Sequence, residues 1–142
     1  MAQPLATRKS VVADLMSALD RRDIDGVVSY TTPDAVWHGF APQPIDTNGY
    51  RAAIQEFLDA FTDSHFPVQA LVAEGDRVAC LHHLVGTHLS SFQGVAPTGR
   101  PVRVGAIVTC RFEGDKVAEA WLTADILGLL MQIGAVPAPV SA

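Results

Sequence analysis

The feature that most limits what this chain can fold into is a change of period at His65. Before it, apolar residues recur at helical spacing; after it, they alternate. Val11, Val12, Leu15, Met16 and Leu19 mark one face of a helix predicted over Leu5–Leu19, and Ile24–Tyr30 reads as a second, short one. A third helix is predicted to start at an Asp46 or Thr47 cap and run to Phe61, with Tyr50, Ile54, Phe57, Leu58 and Phe61 on its apolar face. Between the second and third helices, Thr32-Pro33-Asp34 has turn chemistry and Ala35–His38 reads as a short strand. Beyond His65, strands are predicted at Pro67–Ala73 and Arg77–Leu89, joined by Glu74-Gly75-Asp76. A second pair, Pro101–Phe112 and Lys116–Thr123, is joined by Glu113-Gly114-Asp115, and Ser90–Arg100 is a loop rich in Gly, Pro and Ser. A final short helix, Ile126–Ile133, is ended by Gly134 and a Pro-containing tail. Helices first and hairpins afterwards call for an α+β fold, an antiparallel sheet packed on helices, and not the alternating units of a dinucleotide-binding sheet.

A chain of 142 residues fits a single domain spanning 1–142. Apolar residues make up 49% and charged ones 18%, a surplus that an internal apolar cavity or a buried subunit interface would absorb. Net charge is -5 and the ten Lys and Arg are scattered, so the basic face that nucleic acid binding needs is absent. No apolar run reaches the roughly 18–20 residues that span a bilayer, and the start MAQPLATRKS lacks the apolar core of a secretory signal; a cytoplasmic protein is expected. Cys80 and Cys110 lie within apolar strand segments and read as buried, reduced thiols.

Phosphate loop, dinucleotide fingerprint, nucleophile elbow and Cys-x-x-Cys pair are all missing. His82, His83 and His88 do not make a metal site, because neighbouring strand residues point to opposite faces and His82 and His88 lie too far apart along one strand. What remains is a set at the end of the last strand. Trp121, Thr123 and Asp125 alternate onto one face, and Asp125 precedes the apolar run Ile126–Met131. A carboxylate held between a tryptophan and that helix would lose hydration; its raised pKa would let it take and return a proton near neutral pH. The plain alternative is that Asp125 caps the helix. His38 and His88, each near a strand end, are candidate donors to a substrate oxygen, with surface or satisfied histidines as the bland reading. Trp37, Phe40, Tyr50, Phe57, Phe61 and Trp121 line a pocket for a flat ring system or are plain core.

Gly86-Thr87-His88, Phe92-Gln93-Gly94, Pro97-Thr98-Gly99-Arg100 and Val102 resemble the central signature of the SnoaL-like polyketide cyclases and ester cyclases. Arg111 through Glu119, and Trp121 through Asp125 to Gly134, continue the resemblance, which weakens towards Val36-Trp37-His38. It implies the cone of the nuclear transport factor 2-like superfamily: a curved antiparallel sheet wrapped by N-terminal helices. It also implies an enzyme without cofactor or metal, acting on a hydrophobic, polycyclic or aromatic small molecule, and a homodimer or homotetramer. In those cyclases an aspartate matching Asp125 serves as acid and base in an intramolecular aldol closure; His88 and His38 are the candidate helpers in this chain, and Trp37, Tyr50, Phe57, Phe61, Cys110 and Trp121 the candidate substrate contacts. The strand Val102–Arg111, where such cyclases place a polar or imidazole partner, here has no histidine and offers Thr109, Cys110 and Arg111. Epoxide opening with Asp125 as the acid, or a non-catalytic binding or assembly module, are the other readings of the same pocket.

Overall fold

The computed structural model describes residues 5–137. Its elements are α1 (Leu5–Asp20), α2 (Ile24–Ser29), β1 (Thr31–His38), α3 (Thr47–Ala60), β2 (Val68–Glu74), β3 (Arg77–Thr87), β4 (Pro101–Glu113), β5 (Lys116–Ala124) and α4 (Ile126–Gln132). The end of the Pro-containing tail lies outside the described residues. Among those described, no helix is long and apolar enough to cross a membrane.

Both predicted hairpins form, with Glu74 facing Arg77 and Glu113 facing Lys116. Gly75 and Gly114 take φ of 58° and 61° at the first position of each two-residue turn, the backbone that a type II′ connection demands and that only glycine adopts freely. The five strands make one curved sheet in the order β1-β5-β4-β3-β2. It is not wholly antiparallel, as the sequence suggested: β1 joins the edge parallel to β5. The expected turn at Thr32-Pro33-Asp34 is instead part of β1, and a register shift between Thr31 and Val36 absorbs it. An edge strand tolerates Pro33 because one side of it forms no ladder.

Alternation decides which residues meet the helices. Val78, Cys80, His82 and Leu84 of β3 face inward, as do Val102, Val104, Ala106, Val108 and Cys110 of β4. Val12, Leu15, Met16 and Leu19 of α1 and Tyr50, Ile54 and Leu58 of α3 close over them in one hydrophobic core. Arg8 ties α1 to the first hairpin, donating to the Gly75 carbonyl at 2.7 Å with its guanidinium over the Phe112 ring.

In β5 the alternation changes parity. The register with β4 shifts between Arg111 and Phe112, and Val117 and Ala118 are both buried. Such a bulge turns every later residue to the opposite face. Ala120, Leu122 and Ala124 therefore point inward, and Glu119, Trp121 and Thr123 point away from the helices, opposite Arg111, Thr109 and Ile107.

Three helices start alike. Asp23, Asp46 and Asp125 are N-caps whose carboxylates accept from the amides of Gly26, Gly49 and Gly128 at 2.9, 2.8 and 2.8 Å. Glycine at the third position suits this contact, since a Cβ at Gly26 or Gly128 would overlap the cap carboxylate.

Candidate functional site

Between the sheet and helices α1 and α3 lie two adjoining chambers, an inner and an outer one, that share part of their walls. The inner one, about 60 Å³, is bounded by Leu15 and Met16 of α1, Tyr50 of α3, Phe66, and His82 and Val108 of the sheet. The outer one, about 130 Å³, reaches the surface past Phe57, Phe92, Gln93, Ala124 and Ile126. Phe40, Ile54, Phe66, Leu84 and Leu122 border both.

The walls are held by aromatic packing. Trp37 and Tyr50 stack with centroids 3.7 Å apart, Phe40 stands edge-on to both, and the Trp37 indole N–H donates to Thr47 Oγ1 at 3.2 Å. Of the expected substrate contacts, Trp37 and Tyr50 line the inner chamber and Phe57 the outer. Phe61 does not line it: wholly buried, it stacks on Phe57 and packs against Phe92 from behind. Cys110 is likewise buried, beside Cys80 and Tyr50 and off the lining. Trp121 is on the wrong side altogether. Carried outward by the bulge in β5, it stacks on His38 at 5.2 Å and lies under the Arg77 guanidinium.

The expected catalytic trio is not brought together. His38 faces outward with Trp121, its Nε2 2.7 Å from Glu119 Oε2. His88 is fully buried, packed on Phe61, and braces the loop that follows it. The Thr98 amide donates to His88 Nδ1 at 3.2 Å, with Thr98 Oγ1 at 3.0 Å from the same nitrogen. Nδ1 is therefore an acceptor, the proton is on Nε2, and that N–H is sealed in without a partner. Asp125 is exposed, and one carboxylate oxygen is committed to Gly128. The desolvation expected from Trp121 does not arise, because Trp121 is on the outer face. Asp125 instead stands between Ala124 and Ile126, which line the mouth, and itself borders an open groove on the outer sheet face with His83, Ile107 and Thr123.

One inward polar group entered the sequence reading only as a rejected metal ligand. His82 is 4% exposed and lines the inner chamber. Its signal was the alternation Val78-x-Cys80-x-His82-x-Leu84, which places an imidazole in an otherwise apolar inward row. Burial lowers its pKa, partly offset by the His83 carbonyl. Burial pushes the Tyr50 phenol the other way, well above its ordinary value, with Cys110 adding to the rise. At neutral pH the chamber thus holds a neutral imidazole and a protonated phenol. Among the described residues no group of three or more ligating side chains is placed to hold a metal.

A curved sheet closed by helices over an internal apolar chamber defines a nuclear transport factor 2-like fold. The chain belongs to the SnoaL-like polyketide cyclase family, whose pattern matches residues 10–133. Its structure is similar to that of AclR from Streptomyces galilaeus, a proposed hydroxylase, with a TM-score of 0.88 and 30% identity over 94% of this chain and all of that one (100%). IdmH from Streptomyces antibioticus, a proposed polyketide cyclase, superposes with a TM-score of 0.80 and 29% identity over 89% of this chain and 98% of that one. TsrD from Streptomyces laurentii gives 0.83 and 25%, over 94% and 99%. No sequence among the curated proteins matches the chain.

Proposed function

We propose that this protein closes a ring in a small aromatic or polyketide-type molecule by acid–base chemistry within the cone, in an intramolecular aldol reaction without cofactor. The observation that carries the reading is the chamber: an apolar space whose lining carries a neutral imidazole and a phenol. Folding the substrate so that its reacting carbons stay in contact supplies part of the rate, and excluding water protects an enolate from stray protonation. Even together, the chambers fall short of the roughly 300 Å³ at which drug-sized sites begin, so a compact one- or two-ring substrate is favoured over a larger polycycle. Asp125 enters this reading from the family resemblance.

The test is turnover. The protein is incubated with a synthetic aromatic β-ketoester chain and, separately, with an aryl epoxide, in buffer containing chelator. A cyclised product from the ketoester, lost in Asp125→Asn, is the expected result; products from the epoxide alone would overturn ring closure. Exposure of Asp125 favours a second reading, a binding module without catalysis, which predicts tight ligand binding and no product from either compound.

The outer sheet face supports self-association in the same reading. Val72 and Ile107 are exposed there, with Ala79 and Leu81 of β3 between them, an apolar patch that a second copy would cover. Sedimentation should show a dimer that Ile107→Glu converts to monomer.

A further inference from the structure

The imidazole of His82 is poorly explained as core. A leucine would fill the same inward position without burying a polar ring, and Leu84 does so two residues along the strand. Nor does it brace a loop through its ring, as His88 does through Thr98. Its Nδ1 lies 3.3 Å from the His83 carbonyl oxygen, which can only accept, so for that contact to be attractive Nδ1 must carry the proton. That assigns the lone pair to Nε2, which makes no hydrogen bond to any described residue. Among the other polar side-chain atoms of the lining residues, Trp37 Nε1 is spent on Thr47, whereas Tyr50 Oη is without a protein partner among the described residues and keeps its proton. Carboxylates, lysines and arginines are absent from the lining. The chamber therefore offers one acceptor and one donor in apolar surroundings.

We propose that His82 is the proton-accepting base of the chamber and Tyr50 the donor to the oxygen it makes anionic, which defines the substrate as a carbon acid next to a carbonyl group. This rests on the chamber being the reaction site; it moves the first proton transfer from the rim to the interior. Nε2 removes a proton from the carbon beside the carbonyl. The C–H electron pair becomes the enolate, with its charge on the oxygen that faces the Tyr50 hydroxyl. The enolate carbon then forms a bond to a second carbonyl carbon of the same molecule. The alkoxide so produced takes the proton back from the His82 imidazolium. Nothing is oxidised or reduced, and His82 ends as it began. Asp125 is left to engage the part of the substrate that emerges from the mouth.

Exchange of a carbon-bound hydrogen tests the first step without requiring ring closure. α-Tetralone, a two-ring ketone that cannot cyclise, is mixed with protein in deuterated buffer, and loss of the signal of the hydrogens beside its carbonyl is followed by proton NMR. Wild type is expected to accelerate exchange, and His82→Gln to lose roughly 10²-fold of that acceleration while still binding the ketone. Tyr50→Phe should lose part of it, and His83→Gln, whose side chain is on the outer face and whose carbonyl is retained, none. Should His82→Gln fail to fold, His82→Leu suits the apolar chamber and has the same expected loss. Undiminished exchange in a folded His82 variant overturns the assignment. Wild type that binds α-tetralone but exchanges nothing also overturns it, while the chamber remains a binding site; wild type that does not bind overturns both.

Discussion

His38 and Glu119 pair across the sheet edge, Nε2 to Oε2 at 2.7 Å, on the face turned away from the chamber. Arg111 holds the other Glu119 oxygen at 3.1 Å. The His38 contact first, and then Arg111, keep the Glu119 carboxyl below its ordinary value. A depressed carboxylate pKa means the folded state favours the charged form. Its contribution is present above the unfolded glutamate pKa and is lost as pH falls through the lowered native one. Glu119→Gln should lower the urea midpoint at about pH 7 and make it fall less steeply towards about pH 3 than in wild type. His38→Ala should likewise lower stability while leaving ligand binding in the chamber intact.

Leu122 borders both chambers, so enlarging it should close the cavity from the sheet side. Leu122→Trp is expected to weaken binding of a small aryl ketone by at least about tenfold, roughly 1.4 kcal/mol. Overpacking should cost no more than about 1–3 kcal/mol. Calorimetric titration beside thermal unfolding separates the two effects.

His88 braces the loop instead of facing substrate, and its removal should be felt as stability. His88→Ala is expected to cost about 2–4 kcal/mol, through the void under Phe61 and the lost partner for the Thr98 amide. Hydrogen exchange should quicken at Thr98 and at Gly99, whose amide donates to the His88 carbonyl.

At Asp125, capping and chemistry can be pulled apart. Asn caps a helix about as well as Asp, so Asp125→Asn should unfold within a few tenths of a kcal/mol of wild type, whereas Asp125→Ala should cost about 1 kcal/mol. Loss of turnover in the asparagine variant would then report the charge and not the helix.

Burial pushes the thiols of Cys80 and Cys110 up to about 11 and about 12. The thiolate is the reactive form, so neither should react with a disulfide reagent at neutral pH until the protein unfolds. Titration in buffer and in denaturant should find no accessible thiol in the first and both in the second.

Elements were far easier to read from this sequence than faces. The helices at Leu5, Ile24 and Thr47 and the two Gly-Asp hairpins follow from apolar spacing and turn chemistry, which are local properties. So is the cap at Asp125, written in the same Asp-x-x-Gly pattern as Asp23 and Asp46. The parallel pairing of β1 was not legible, because nothing in Thr31–His38 says which edge the strand will join.

The sequence by itself determined the class of fold, the family and the presence of enough apolar surface to enclose a chamber. Tertiary structure decided which side chains look into it. Along β5, Trp121-x-Thr123 and Leu122-x-Ala124 are both plausible inward rows, and a one-residue bulge at Val117 and Ala118 selects the second. That shift sends Trp121 to the outer face and leaves Asp125 at the rim with its hydration. On β3, unbroken alternation carries His82 into the chamber. The reason is geometric: side chains alternate with a period of two, so one inserted residue reverses a whole row. Only the pairing of neighbouring strands shows where that residue lies.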